Sequence, residues 1–134
     1  MMPAGLRRAM AVTDGLMLLY WLLTALVAFG LLHVPSDYLY RGYDDPLLVA
    51  WNWSFMPLDI AFSLLGLWAL HRARLGLGWR GPAIVSLTLT MCAGGMAIAF
   101  WTLVGDFNLS WWLPNLALLL WPLAWLPGLL KGVS

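Results

Sequence analysis

The sequence predicts an all-α integral membrane protein, an up-down-up-down four-helix bundle with both termini in the cytoplasm. Three observations predict it: a large apolar excess, four apolar segments of membrane-crossing length, and a lopsided distribution of Lys and Arg. Of 134 residues, 63% are hydrophobic and 10% charged, against about 25% charged in an ordinary soluble domain. A chain this small has too little interior to hide that much apolar surface from water. Lipid is therefore its expected solvent, in one domain spanning residues 1–134.

Each apolar segment holds about 20 residues, which at about 1.5 Å rise per residue matches a ~30 Å hydrocarbon core. The first runs from roughly Val12 to His33, closed by Val34-Pro35-Ser36, because a residue before proline avoids helical geometry. The second runs from about Leu47, after Asp45-Pro46, to Leu70. The third starts near Pro82, a residue suited to a first helical turn, and reaches Val104. The fourth covers about Ser110 to Leu130 and contains Pro114, Pro122 and Pro127. Short connections make consecutive helices antiparallel neighbours. The apolar stretch of the first span is too long for a signal peptide, and no small-residue cleavage pattern follows it.

Basic residues set the orientation. Arg7, Arg8, Arg72, Arg74, Arg80 and Lys131 flank one side of the predicted spans, and Arg41 alone flanks the other. The expected location is the cell membrane (inner or plasma), crossed several times.

Composition also excludes functions. The net charge of +1 and scattered basic residues offer no track for nucleic-acid phosphates. The single Cys92 excludes an internal disulfide, and no Cys/His spacing matches a metal site. The loop from His33 to Pro46 holds Asp37, Asp44 and Asp45, but its spacing fits no cation-binding loop, so it reads as a solvated loop anchored by Tyr38, Tyr40 and Tyr43. No nucleophile elbow, phosphate loop or zinc-protease helix is present. The expectation is no catalytic residue, no metal and no cofactor.

What lipid would reject is a small set of polar groups. A carboxyl group within a membrane costs roughly 2.5–3.5 kcal/mol on insertion scales, so each one asks for a role. Asp59 falls mid-way along the second span. Helical spacing puts Asn52, Met56, Asp59, Ser63 and Gly66 on one polar or small face. Pro57 has no N–H and frees the carbonyl of Trp53, one turn above the carboxyl group. Carboxyl and carbonyl together suit a cationic or hydrogen-bonding ligand, or a proton relay. The plainer alternative is an Asp59 that is protonated, or bonded to a Ser or Thr, and only fixes helix packing. Asp14 falls in the first turn of the predicted first span, where a capping role beside Thr13 is expected, with Arg7 or Arg8 able to neutralise it and a functional acid as the alternative.

In the third span Ser86, Thr90 and Gly94 form a small-residue stripe that permits close helix contact, with hydroxyls that can face Asp59. Asn115 of the fourth span, beside Pro114, is placed to share a cavity with Asn52, or to make an interhelical hydrogen bond. The candidate ligand-binding set is Asp59, Asn52, Met56, Ser63, Asn115, Thr90 and Trp53. Ten Trp residues favour the interfaces, where amphipathic rings settle. Trp21 and Trp121 fall near mid-depth, where an indole N–H needs a partner, and suit either a pocket wall or an aromatic core.

The run Trp51-Asn52-Trp53-Ser54-Phe55-Met56-Pro57-Leu58-Asp59, in a chain of this length and span count, resembles the YvaD-like family of small bacterial membrane proteins. The resemblance covers nearly the whole chain and implies an architecture without an activity. His33, Asp45-Pro46-Leu47-Leu48 and Asp59 also look like elements of the emopamil-binding (EXPERA) fold, which buries acidic residues facing a cationic or sterol-like ligand. The chain departs from that pattern in having no Glu and in the polar pattern of its third and fourth spans. That likeness implies an acid-lined, lipid-facing pocket, for Asp59 only.

Three functions are open at this point. The first is a small bundle that binds a lipid-like, sterol-like or amine ligand around Asp59. The second is a proton- or ion-coupled transporter acting as an oligomer, although the six-to-one basic bias opposes a dual-topology dimer. The third is an accessory subunit packed against a larger membrane partner. The bilayer is the partner common to all three, with a homo-oligomer possible and nucleic acid excluded.

Overall fold

The computed structural model describes residues 1–35 and 44–132, and every element among them is helical. Asp37, Tyr38, Tyr40, Arg41 and Tyr43 lie outside the described residues. The elements are α1 (Ala4–Ala28), α2 (Pro46–Arg74), α3 (Arg80–Val104), α4 (Leu109–Leu120), a 3₁₀ turn (Trp121–Ala124) and α5 (Leu126–Lys131). Four helical stretches, Ala4–Ala28, Pro46–Arg74, Arg80–Val104 and Leu109–Lys131, are long and apolar enough to cross a membrane.

Local chemistry explains most of the boundaries. Asp45 caps α2 by accepting the Leu47 N–H at 2.9 Å, with Pro46 at the first helical position, where a missing N–H is harmless. Asn108 does the same for α4 through the Ser110 N–H at 2.9 Å. Gly105 ends α3 at φ 83°, a conformation that costs glycine nothing. Pro57 and Pro114 sit inside continuous helices. At Pro122 the α-helix gives way to the 3₁₀ turn, since proline cannot donate to the preceding turn. Thr24, Thr88, Thr90 and Thr102 return their hydroxyls to the carbonyl four residues back, at 2.7–2.8 Å, so these groups are satisfied without water.

Helix α1 differs from its expected extent. It begins at Ala4 and ends at Ala28, about two turns earlier at its start than the apolar stretch suggests. Helical geometry continues through Arg7 and Arg8 because nothing in Ala4–Ala11 opposes it; only hydropathy had marked the boundary. The consequence falls on Asp14. It is not a cap; it lies well inside the helix and is 2% exposed.

Packing runs in sequence: α1 on α2, α2 on α3, α3 on α4. Two glycines allow the close approaches. A Cβ at Gly66 of α2 would collide with the Asp14 carboxylate of α1 and stand 2.9 Å from Ser86 Oγ of α3. A Cβ at Gly94 of α3 would stand 2.6 Å from the Asn115 carbonyl oxygen and 2.7 Å from the Leu119 nitrogen of α4. The small-residue stripe of α3 thus works as a packing seam, as its spacing suggests.

The main apolar core lies at one end. Met2, Leu6 and Met10 interlock with Ala69 and Leu70, with Trp79, Ala83 and Leu87, and with Leu129. A Cβ at Gly5 would stand 2.9 Å from the Trp125 ring, so the foot of α1 also meets the turn before α5. Away from that end the helices separate: among the described residues, no Cα of α1 comes within 8 Å of a Cα of α4.

Candidate functional site

The gap between α1 and α4 is a cavity of about 970 Å³, with walls from all four long helices. Six tryptophans line it: Trp21, Trp51, Trp53, Trp101, Trp111 and Trp121. Between them stand Tyr20, Thr13, Thr24, Asn52, Asp59 and Asn115. A concave, mainly apolar space with a few convergent polar groups is the usual form of a small-molecule site.

Asp59 is its polar centre. The residue is 6% exposed, and its Oδ2 accepts a hydrogen bond from Trp21 Nε1 at 2.8 Å. The bond joins α2 to α1, and it supplies the partner that a mid-depth indole requires. No other protein donor among the described residues reaches Asp59. The Trp21 ring is fixed on two sides, by Tyr20 at 5.2 Å edge-on and by Trp53 at 5.5 Å. Such aromatic pairs contribute about 0.5–1.5 kcal/mol beyond burial.

Further along α2, Asn52 Oδ1 accepts from the Tyr20 hydroxyl at 3.4 Å, while its buried Nδ2 has no partner. Asn115 of α4 donates its amide to the Trp111 carbonyl oxygen at 2.8 Å. Trp121 Nε1, also on the cavity wall, is buried without an acceptor. The cavity wall thus carries two buried donors without acceptors, each an unsatisfied group that costs about 1–3 kcal/mol.

The structure divides the candidate set predicted from sequence. Asp59, Asn52, Trp53 and Asn115 come together on the cavity wall. Met56, Ser63 and Thr90 do not line it. Ser63 and Thr90 are fully buried; Thr90 is bonded to the Ser86 carbonyl within its own helix, and Ser63 Oγ has no partner. Of the α3 hydroxyls, that of Ser86 is drawn to the neighbourhood of Asp14, and none bonds to Asp59. Ser86 Oγ donates to the Phe62 carbonyl oxygen at 2.7 Å and converges with Asp14 Oδ2 on the space that a Gly66 side chain would fill. Asp14 Oδ2 has no hydrogen-bond partner. Sequence reasoning omitted Trp21, Trp121 and Tyr20 from the binding set. The mid-depth position of the two tryptophans was a signal for them, whereas Tyr20 reads as one more apolar-face residue.

Among the described residues no three His, Cys, Asp or Glu side chains cluster as metal ligands.

Fold and site together define a small four-helix protein built for a membrane, with an aromatic cavity around one buried carboxyl group. Comparison with known proteins places it. Residues 6–134 match DUF5360, a family of unknown function, and the chain belongs to that family. It is 43% identical over 121 residues to the uncharacterized protein YvaD of Bacillus subtilis (strain 168), covering 90% of this chain and 87% of that protein. No solved structure matches it.

Proposed function

We propose that this protein is an up-down-up-down bundle of the cell membrane, with both termini cytoplasmic, that binds a small hydrophobic or amphipathic ligand in the cavity between α1 and α4. One observation carries the reading: the Asp59–Trp21 pair stands on the wall of a cavity of about 970 Å³, large enough for a lipid-like or amine molecule. The carboxyl group supplies an anchor for a cationic or hydrogen-bond-donating head. The tryptophan faces accept an apolar body and favour positive charge above the rings. Orientation follows from the six-to-one distribution of Lys and Arg.

The test uses purified protein in detergent, with dodecylamine and its neutral counterpart dodecanol as probes. Saturable thermal stabilisation by the amine, much weaker for the alcohol and lost in Asp59→Asn, supports an acid-anchored site. Equal stabilisation by both, unchanged in Asp59→Asn, contradicts it.

A second reading, proton- or ion-coupled transport by an oligomer, is favoured by a different observation. Asp14 and Asp59 are two buried carboxyl groups, and Ser63, with a free buried hydroxyl, lies on α2 between the positions of Asp59 and Gly66. Uptake of a cationic dye into proteoliposomes that requires a proton gradient, and that Asp59→Asn abolishes, distinguishes it from binding alone.

A further inference from the structure

We propose that the basic end of the molecule binds anionic phospholipid headgroups, at a surface centred on Arg72 and Arg80 beside the turn that joins α2 to α3. This surface is separate from the cavity, and the proposal requires only that the four long helices cross a bilayer. The core cluster draws the start of α1, the end of α2, the start of α3 and α5 to one end. They bring Arg7, Arg8, Arg74, Arg80 and Lys131, all exposed, and Arg72, half-buried.

Among the described residues no acid answers them. Asp14 and Asp59 are buried within helices, and Asp44, Asp45 and Asp106 lie on the connections α1–α2 and α3–α4. Among the described residues none of these six cations makes an ion pair. A cationic surface without internal counter-charge complements a negative one.

The two central guanidinium groups are held in place. Arg72 lies 5.2 Å over the Trp68 ring, and its Nε donates to the Gly78 carbonyl oxygen. Arg80 lies 5.8 Å from the Trp79 ring centre and packs against Gly132 beyond α5. Beside Arg80 is a depression of about 490 Å³ bordered also by Gly76, Leu77, Trp79 and Pro82, and by Gly78, whose carbonyl oxygen accepts from Arg72. Tryptophan settles at headgroup depth, so Trp68, 49% exposed, and Trp79 set both arginines level with lipid phosphates. The planar guanidinium fork matches phosphate oxygens in pairs, and clusters of such residues beside membrane helices attract anionic lipid.

The experiment titrates the full chain, purified in detergent, with phosphatidylglycerol, phosphatidylcholine or inorganic phosphate, and reads thermal stability and lipids retained in native mass spectrometry. Phosphatidylglycerol is expected to stabilise saturably and remain bound, while phosphatidylcholine does neither. The Arg72→Gln/Arg80→Gln variant is expected to raise half-saturation about tenfold, and Arg8→Gln to change it little. Equal effects of the two lipids, an unchanged double variant, or full stabilisation by inorganic phosphate alone would each overturn the proposal. Should the double variant fail to fold, the comparison of the two lipids on the unsubstituted chain decides.

Discussion

The indole N–H of Trp21 in α1 donates to Asp59 Oδ2 in α2 at 2.8 Å, at the wall of the cavity that separates α1 from α4. This bond has two consequences. It ties α1, the helix with no partner but α2 over most of its length, to its neighbour at mid-depth. It also fixes the direction in which the carboxyl group faces the cavity.

Replacing Trp21 by Phe keeps an aromatic ring and removes the donor. Hydrogen bonds between membrane helices average about 0.6 kcal/mol and reach about 1.7; bonds to a charged group are stronger, about 1.5–3. We expect Trp21→Phe to lose roughly 1–2 kcal/mol of stability, measured by thermal or denaturant unfolding in detergent. An unchanged midpoint would show that the bond adds nothing to the fold.

Trp121→Phe is the contrasting case. Trp121 Nε1 is buried without an acceptor, so removing it deletes an unsatisfied donor instead of a bond. Stability is expected to stay within about 0.5 kcal/mol or rise. A loss like that of Trp21→Phe would place an acceptor near Trp121 in the ligand-free protein.

The seat of Asp14 can be tested through Gly66. A methyl group there meets the Asp14 carboxylate, and overpacking typically costs about 1–3 kcal/mol. Gly66→Ala is therefore expected to destabilise by that order. In the Asp14→Ala background Gly66→Ala should cost clearly less than in the unsubstituted protein, leaving only the approach to Ser86 Oγ, as a double-mutant cycle reads. Additive losses would mean that the two residues do not share this space.

Gly94→Leu should do more harm than Gly94→Ala, because the atoms in the way are the Asn115 carbonyl oxygen, the Leu119 nitrogen and Leu118 Cβ. Backbone yields less readily than a side chain. The expected result for Gly94→Leu is loss of folded protein in size-exclusion chromatography, with α4 displaced from α3. Gly95→Ala, with only Leu119 Cδ1 at 3.5 Å, is expected to be tolerated.

Much of the fold is legible in the sequence, for identifiable reasons. Hydropathy marks four spans because lipid rejects polar groups whatever the tertiary structure. The α2 face bearing Asn52, Asp59 and Gly66 is legible because helical period alone assembles it. Asn115 was placed with Asn52 by depth, and both line the cavity. What periodicity cannot show is which helices stay apart. The gap between α1 and α4, and hence the pairing of Trp21 with Asp59, depends on the core at the opposite end and on the close approaches at Gly66 and Gly94. The cap expected at Asp14 rests on an apolar boundary, and the helix continues past that boundary to Ala4. The notch for Asp14 in α2 needs two helices to be seen together.

Ligand binding in the cavity beside Asp59 is tested most directly by photo-labelling with a diazirine-bearing long-chain amine, followed by peptide mapping with and without excess dodecylamine. Competed labelling is expected on the cavity wall, at Tyr20, Trp21, Asn115 and Trp121, and is expected to be lost in Asp59→Asn. Labelling spread over outward residues such as Leu64 and Met96, 55% and 52% exposed, with no competition and no effect of Asp59→Asn, would contradict it.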